Sequence, residues 1–266
     1  MCGQVGFILG KKKRSAEDWM EITKSFLYLM VYSETQGPHA TGMAMIRDDG
    51  SFSLFKRPGR AHRIIVKPEF IKALGKLDSR ATLLMGHTRY RTRGSEKRNR
   101  NNHPLRAGSV LGTHNGTILN ADELFTEFDL PRYTEVDSEL LVRLADHHSE
   151  GGPIAINGLL ERISRCRGQI SAIISTIQDP ERVLVFKGNR PLTLWYHKER
   201  RIIAYASQEK WLEVALEEQM DWVPIDIDPM SLLIFHRSRL GRPKRHNLNF
   251  EAHETSTKGA KYEKST

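Results

Sequence analysis

The chain has 266 residues, 39% of them hydrophobic and 27% charged, with a formal net charge of +9. This composition is typical of a globular protein with one large α/β domain or two small ones. Its two cysteines, Cys2 and Cys166, exclude a disulfide framework, and no apolar run reaches the roughly 18 residues of a membrane-spanning helix. The apolar stretch 5–9 is too short for a signal peptide, so we expect a cytoplasmic protein without membrane contact.

The first predicted elements are a strand over Gly3–Leu9, directly after Cys2, and a helix that opens at Ser15. A hairpin follows, with strands Thr41–Arg47 and Ser51–Arg57 flanking an Asp-Asp-Gly turn. Hairpin-paired strands among amphipathic helices predict an α+β fold of antiparallel sheets sandwiched by helices. The remaining predicted strands are Ala81–Gly86, Val110–Thr113, Ile170–Ile177, Val183–Lys187, Leu192–Tyr196, Ile202–Ala206 and Leu232–Phe235, and the helices are Ser138–His148, Ile154–Ser164 and Glu209–Gln219.

The C-terminal segment differs in composition from the rest. From residue 241 the chain is polar, includes the basic run Arg242-Pro243-Lys244-Arg245 and has almost no aliphatic residues. Such a segment cannot bury enough apolar surface to fold. We therefore expect one domain over residues 2–240 and a basic, disordered tail over residues 241–266.

Cys2 would be both nucleophile and amino terminus once Met1 is removed. The thiolate is the attacking species and a free cysteine has a pKa of about 8.5, whereas an α-amino group titrates at about 7.7–8.0. The amine can therefore accept the thiol proton near neutral pH without help from a histidine. The alternative interpretation is a small buried hydrophobic residue, the usual state of cysteine.

Arg89 and Thr92 lie in the segment Gly86–Gly94, at the end of a predicted strand. An arginine fork matches two carboxylate oxygens, and a nearby threonine hydroxyl adds a donor. The segment therefore favours a carboxylate site. The alternative, a solvated basic loop, explains Arg91 and Arg93 better than it explains a Gly-His-Thr-Arg run that leaves a buried strand.

The motif His114-Asn115-Gly116 permits two interpretations. The dipeptide Asn-Gly is typical of a hairpin turn. The side-chain amide of Asn115 and the backbone N–H of Gly116 are also a suitable pair of donors for an oxyanion. The residues alone leave both open.

Asp137 precedes an apolar helical pattern in the run Val136-Asp137-Ser138-Glu139. Aspartate at that position is typical of a helix N-cap. The same carboxylate could instead bind the ammonium group of a substrate. Both interpretations remain open at this stage.

Taken in order, these residues resemble the class II glutamine amidotransferases, which are N-terminal-nucleophile (Ntn) hydrolases. The similarity covers roughly Cys2 to Phe235. The resemblance implies a four-layer αββα Ntn-hydrolase sandwich of two antiparallel sheets flanked by helices. The segments that carry it are Met1-Cys2-Gly3, residues 36–42, Gly86–Thr92, His114-Asn115-Gly116, Asp137-Ser138-Glu139, residues 187–192 and residues 204–208.

The resemblance also implies a role for each candidate residue in hydrolysing L-glutamine to glutamate and ammonia through a thioester. Cys2 is the nucleophile with its own amine as base, and Asn115 and Gly116 form the oxyanion hole. His103 lies on a loop that closes over the substrate. The glutamine-binding residues are Arg89 and Thr92 at the carboxylate, Asp137 at the ammonium, Tyr90 and His103.

Some positions depart from the family pattern. Tyr90 and Arg93 stand where the family often has Trp and His, and Gln36 and His39 replace the usual Arg and Asp of the early segment. The Arg89 and Thr92 pair is retained. We expect altered polar support for the nucleophile, and activity that is low in the isolated chain or conditional on a partner.

The partner expected from the resemblance is a separate ammonia-accepting synthetase, since only about thirty residues follow Phe235 and a second catalytic domain needs about 50–200.

The chain also has two clusters of basic residues, and such clusters can follow nucleic-acid phosphates. A solvated surface or an acidic partner protein is the favoured interpretation of them. The clusters are Arg91, Arg93, Lys97, Arg98, Arg100 and Arg106 near the site, and Arg237, Arg239, Arg242, Lys244 and Arg245 near the end.

Two alternatives to an amidotransferase stay open. One is an Ntn hydrolase of another γ-glutamyl amide, and the other is a non-catalytic scaffold that binds an acidic partner or nucleic acid. A scaffold needs none of the candidate site residues, so their joint presence argues against it: Cys2, Arg89, Asn115, Gly116 and Asp137. No histidine or cysteine spacing fits a metal site, so we expect no metal and no cofactor, and Cys166 is expected to be structural.

Overall fold

The computed structural model describes residues 2–216 and 221–253, and its main feature is a pair of stacked sheets. The strands are β1 (Gly3–Leu9), β2 (Ala40–Arg47), β3 (Phe52–Pro58), β4 (Ala81–Arg89), β5 (Leu105–Ala107), β6 (Val110–Ile118), β7 (Arg167–Thr176), β8 (Arg182–Lys187), β9 (Thr193–His197), β10 (Ile202–Ala206), β11 (Trp222–Ile225), β12 (Ser231–His236), β13 (Lys244–Asn247) and β14 (Glu251–Ala252). The helices are α1 (Ala16–Ser33), α2 (Ala61–Ile64), α3 (Pro68–Leu74), α4 (Ala121–Glu127), α5 (Glu139–His147), α6 (Ile156–Ile163) and α7 (Glu209–Leu216).

The first sheet has the strand order β11-β9-β10-β1-β4-β2-β3, and the second has the order β13-β12-β8-β7-β6-β5. All pairs within these orders are antiparallel, while the short β14 lies parallel to β7. Helix α1 covers the first sheet and α5 the second. The predicted α+β sandwich of four layers is therefore confirmed.

Three apolar layers hold this sandwich together. Helices α1, α3 and α7 pack on the first sheet, and helices α4, α5 and α6 pack on the second. The third layer lies between the sheets. Its fully buried members include Ile8, Met85, Leu111, Ile173, Val185, Tyr205 and Leu233.

Helix α1 starts where the sequence predicts, at a capping box. The Ser15 hydroxyl accepts the N–H of Asp18 at 3.2 Å, and the Asp18 carboxylate accepts the N–H of Ser15 at 3.0 Å. The other end of α1 meets the start of β1: a Cβ on Gly3 would lie 2.6 Å from the Cβ of Ser33. Glycine after Cys2 therefore lets the helix end pack against the first residues of the sheet.

Strand β6 is longer than the predicted strand Val110–Thr113, and its length decides one of the interpretations of Asn115-Gly116 that the sequence left open. Strand β6 continues through Asn115 and Gly116 to Ile118, because these residues pair with β7 down to Gly168. The hairpin-turn interpretation of Asn-Gly is thereby excluded.

The predicted disorder from residue 241 is wrong for the described part of that segment. Strand β13 pairs with β12, and β14 pairs with β7. Backbone hydrogen bonds at a sheet edge need few apolar side chains, and Leu248, which is fully buried, adds an apolar contact.

Residues 254–266 and the predicted helix end at 217–219 lie outside the described residues. Within the described ranges, no helix is long and apolar enough to cross a bilayer.

Candidate active site

Cys2 lies directly before β1 and lines a cavity of about 230 Å³. Its sulfur accepts the backbone N–H of Tyr90 at 3.2 Å. Burial raises the pKa of the Cys2 thiol, while the Tyr90 hydrogen bond and the charge of Arg89 act in the opposite direction. A thiol in this environment needs a base at the sulfur to become a nucleophile near neutral pH.

Asn115 lies beside the nucleophile, on the second sheet. Its side-chain amide donates to the backbone carbonyl of Cys2 at 2.9 Å and to the hydroxyl of Ser207 at 2.7 Å. Ser207 also accepts the N–H of Gln4 at 2.8 Å. The amide of Asn115 is therefore fixed between the two sheets, next to the first residues of β1.

Gly116 occupies a position that only glycine can fill. Its φ is +137°, and an added Cβ would lie 2.0 Å from the carbonyl oxygen of Gln169 on the paired strand β7. A side chain here would force β6 away from β7. Glycine lets the backbone form the cavity wall directly after Asn115.

The cavity brings together five of the predicted site residues and three that the sequence did not assign. The predicted residues are Cys2, Tyr90, Thr92, Asn115 and Gly116, and the added residues are Thr117, Gln169 and Arg190. Arg190 follows β8 in the segment 187–192, whose resemblance to the family could have marked it as a site residue. No sequence motif marks Thr117 or Gln169, because it is the pairing of β6 with β7 that brings them to the cavity.

Arg89 is buried and lies behind the cavity wall. Its guanidinium donates to the side-chain oxygen of Asn102 at 2.9 Å and to the carbonyl oxygens of Arg93 and Gly94 at 2.5 and 2.8 Å. These bonds connect the end of β4 to the loop that carries Tyr90 and Thr92. Arg89 is not among the described residues that line the cavity.

His103 is buried beside a second histidine. Its ring is buried and stacks on His87, with 4.3 Å between the ring centroids. Burial lowers the pKa of both imidazoles, that of His87 to about 3. His103 lies in the loop directly before β5, and its predicted role at the substrate stays a prediction.

Asp137 is buried, and its carboxylate accepts the N–H of Ile118 at 2.6 Å. Ile118 directly follows Thr117, which lines the cavity, so the carboxylate is bound to the residue next to the cavity wall. The N-cap interpretation is wrong: Ser138 occupies the N-cap of α5, and no side chain caps that helix start. The predicted role at a substrate ammonium stays a prediction.

His39, at a position where the family has Asp, supports the same loop. Its Nδ1 accepts the N–H of Arg91 at 2.8 Å, and its ring centroid lies 4.9 Å from that of Tyr90. Its backbone N–H donates to the carbonyl of Arg89. The substituted early segment therefore positions residues 89–91 by hydrogen bonds and ring contact.

Ion pairs neutralise part of each predicted basic cluster. Arg93 forms two hydrogen bonds to Asp122, at 2.9 and 2.8 Å. Arg237 is buried against Asp48, 2.7 Å away, so its assignment to a basic surface is wrong. Within the described ranges, no group of three or more His, Cys, Asp or Glu side chains could bind a metal ion.

Known proteins resemble the chain in sequence. Glutamine–fructose-6-phosphate aminotransferase (isomerizing) of Staphylococcus epidermidis is 28% identical over 207 residues, which are 77% of this chain and 32% of that protein. The 7-cyano-7-deazaguanine synthase of Saccharolobus solfataricus is 23% identical over 247 residues, 90% of this chain and 49% of that protein. The chain thus spans between about a third and a half of these relatives. No family model matches the chain.

Solved structures resemble the chain in fold. The allosteric regulatory enzyme of purine biosynthesis gives a TM-score of 0.68 at 19% identity, over 93% of this chain and 49% of that chain. Glutamine phosphoribosylpyrophosphate amidotransferase from B. subtilis gives 0.67 at 20% identity, with the same coverage. Both similarities extend over nearly all of the sandwich.

The stacked antiparallel sheets, with a cysteine at the start of an inner strand and an Asn-Gly pair beside it, form the four-layer sandwich of the Ntn hydrolases. Sequence similarity and fold together confirm the resemblance to the class II glutamine amidotransferases.

Proposed function

We propose that this domain hydrolyses L-glutamine to glutamate and ammonia with Cys2 as the nucleophile. The observation that carries the proposal is that Cys2, Asn115 and Gly116 line one cavity although they come from different sheets, with the Asn115 amide 2.9 Å from the Cys2 carbonyl oxygen. A thiol beside two hydrogen-bond donors is suited to acyl transfer.

The reaction requires Cys2 to be the amino terminus; Met1 lies outside the described residues. The amine takes the thiol proton and the sulfur attacks the γ-amide carbon, which places negative charge on the amide oxygen. The amide of Asn115 and the N–H of Gly116 stabilise that oxyanion. The proton passes from the amine to the leaving nitrogen, the C–N bond breaks, and ammonia departs.

The glutamyl thioester that remains is hydrolysed by the same groups. The amine deprotonates a water molecule, which attacks the thioester carbon, and the C–S bond then breaks. The proton returns to the sulfur and glutamate is released. The Tyr90 N–H, 3.2 Å from the sulfur, stabilises the departing thiolate.

We further propose that the ammonia passes to a separate acceptor enzyme. The curated relatives are named an aminotransferase and a synthase. Co-purification from the native host should return a synthetase-type partner. A lone chain with full glutaminase activity would contradict this part of the proposal.

The test of glutamine hydrolysis is the release of ammonia and glutamate from L-glutamine by the wild type and by Cys2→Ala. Cys166→Ala is the matched control: this second thiol is buried in the other half of the sandwich, where burial raises its pKa to about 12. We expect turnover in the wild type and in Cys166→Ala, and none in Cys2→Ala. Equal turnover in all three would overturn the proposal.

A further inference from the structure

A second concavity, unrelated to the Cys2 cavity, lies at the surface between helices α1 and α3. Its volume is about 640 Å³, against about 230 Å³ for the Cys2 cavity, and the two share no described lining residue. One wall is formed by α1, and the other by α3 with the turns beside it. The apolar members of the two walls include Trp19, Met20, Tyr28, Ile71, Leu74 and Leu77.

Several apolar side chains of this α1–α3 groove are exposed to solvent. Met20 is 65% exposed on one wall, and Ile71 is 57% exposed on the other. Single apolar residues at a surface are ordinary, but contiguous ones mark interaction sites. Aromatic residues and methionine, such as Trp19, Tyr28 and Met20 here, are also enriched at the centres of protein interfaces. The groove therefore has the composition of a protein-binding surface.

The shape of the groove fits a helix. Its α1 wall runs from Trp19 to Tyr28, which at 1.5 Å per residue is about 14 Å. A partner helix of about ten residues spans that length and can place an apolar stripe, with positions i, i+3 or i+4 and i+7, between α1 and α3. A flat bilayer surface would leave the concavity unfilled.

The α3 side of the groove is strongly basic. Residues 63–77 include four cations, Arg63, Lys67, Lys72 and Lys76, and the single anion Glu69. The three lysines are exposed, and within the described ranges no carboxylate pairs with them. A partner that carries carboxylates beside its apolar stripe would complement this charge.

Two occupants from the protein itself fit less well. A second copy bound through the same face in a two-fold dimer would bring the lysines of both α3 helices together. The C-terminal residues 254–266 have three lysines against two glutamates and no Leu, Ile, Met, Val or Phe. Neither supplies an apolar stripe with acidic flanks.

We infer that the α1–α3 groove binds an amphipathic helix of a partner protein, with the apolar face of that helix in the groove and its acidic side chains against the lysines of α3. The acidic partner expected from the sequence thereby acquires a docking site. The inference does not depend on glutamine hydrolysis, because the groove is separate from the Cys2 cavity.

Fluorescence anisotropy with two labelled model helices of about 16 residues tests the inference. One helix has leucine along its apolar stripe and glutamate at the other positions, and the matched helix has lysine in place of glutamate. The wild type should bind the glutamate helix saturably and the lysine helix at least roughly tenfold more weakly, and added salt should reduce the difference.

Four variants locate the binding. Ile71→Glu and Met20→Glu place a charge in the groove from opposite walls at exposed positions, so each should fold and weaken binding of the glutamate helix roughly tenfold or more. The double variant Lys72→Glu/Lys76→Glu should abolish the preference for the glutamate helix. Val223→Glu, at an exposed apolar residue on the edge strand β11, is the matched control and should bind as the wild type does.

Three results would overturn the inference. The first is absence of saturable binding of the glutamate helix, or binding that neither groove variant weakens. The second is a wild-type dimer in sedimentation velocity that Ile71→Glu dissociates, which would assign the groove to a second copy. The third is co-sedimentation with phosphatidylserine vesicles that is lost in Ile71→Glu, which would assign the groove to a membrane surface.

Discussion

The layer between the two sheets has two chemically different ends, built by the same strands. Away from Cys2 the strands contribute apolar side chains to this layer. Near Cys2 the same strands contribute polar side chains, two or four residues from the apolar ones. Strands β1, β4 and β7 change from Ile8, Met85 and Ile173 to Gln4, His87 and Ser171.

The comparison shows how one sandwich separates stability from chemistry. Because side chains alternate along a strand, a step of two residues keeps the side chain in the same layer. At the polar end, Gln4 donates to the carbonyl of Ser171 at 2.8 Å and accepts from the hydroxyl of Thr113 at 2.7 Å, which joins the two sheets beneath the nucleophile. The apolar end supplies burial, and the polar end fixes the position of Cys2 and Asn115.

The largest expected effect is at the polar end, in Asn115→Ala. Losing one oxyanion donor typically lowers kcat by about 10²–10³. Ser207→Ala, which removes only the hydroxyl that accepts from the Asn115 amide, should lower kcat less. Rates of glutamate formation measure both. A loss in Ser207→Ala as large as in Asn115→Ala would show that orientation, rather than the donor itself, limits the reaction.

The matched change at the apolar end is Ile173→Ala. Ile173 is fully buried between the sheets, so its truncation should lower the free energy of unfolding by about 2–5 kcal/mol. Urea unfolding gives the stability, and the kcat of the folded fraction should be unchanged. A large fall in kcat without loss of stability would contradict the separation of the two ends.

Lys56 provides a pH-dependent prediction beside the polar end. Its ammonium donates to the carbonyl oxygens of Asn102 and Pro104, and burial with the nearby charge of Arg89 lowers its pKa to about 8. In the unfolded chain a lysine titrates at about 10.4, so between these values the unfolded state binds more protons and stability rises with pH. The wild type should gain up to about 3 kcal/mol from pH 8 to pH 10.

The measurement is urea unfolding across that pH range for the wild type and Lys56→Met, with Lys72→Met on the exposed face of α3 as control. The gain should disappear in Lys56→Met and persist in Lys72→Met. An equal gain in stability in the wild type, Lys56→Met and Lys72→Met would show that groups other than Lys56 cause the pH dependence.

Thr113→Val gives the smallest expected effect. It leaves the side-chain oxygen of Gln4 buried without its donor, at a cost of about 1–3 kcal/mol. Unfolding measures the cost, and KM for glutamine should change little. No loss of stability would show that this link between the sheets is replaced by another contact.

The sequence predicted the inner strands and the pair formed by Cys2 and Asn115 because their signals are local: alternating apolar residues and compact motifs. It did not predict Arg190 or Gln169 as wall residues, because sheet pairing brings them to the cavity from distant segments. It did not predict the stacking of His103 on His87 either, because that contact joins two segments of the chain through the fold. The segment beyond residue 241 was misjudged because composition does not report backbone pairing at a sheet edge.

The most direct test of the central claim is the dependence of glutaminase rate on the state of the amino terminus. Intact mass gives the fraction of chains that begin at Cys2, and an aminopeptidase that removes Met1 varies this fraction within one preparation. The mechanism predicts a rate of ammonia release from L-glutamine that rises in proportion to the fraction beginning at Cys2 and is zero without it. Full turnover from chains that retain Met1 would contradict the assignment of the Cys2 amine as the base.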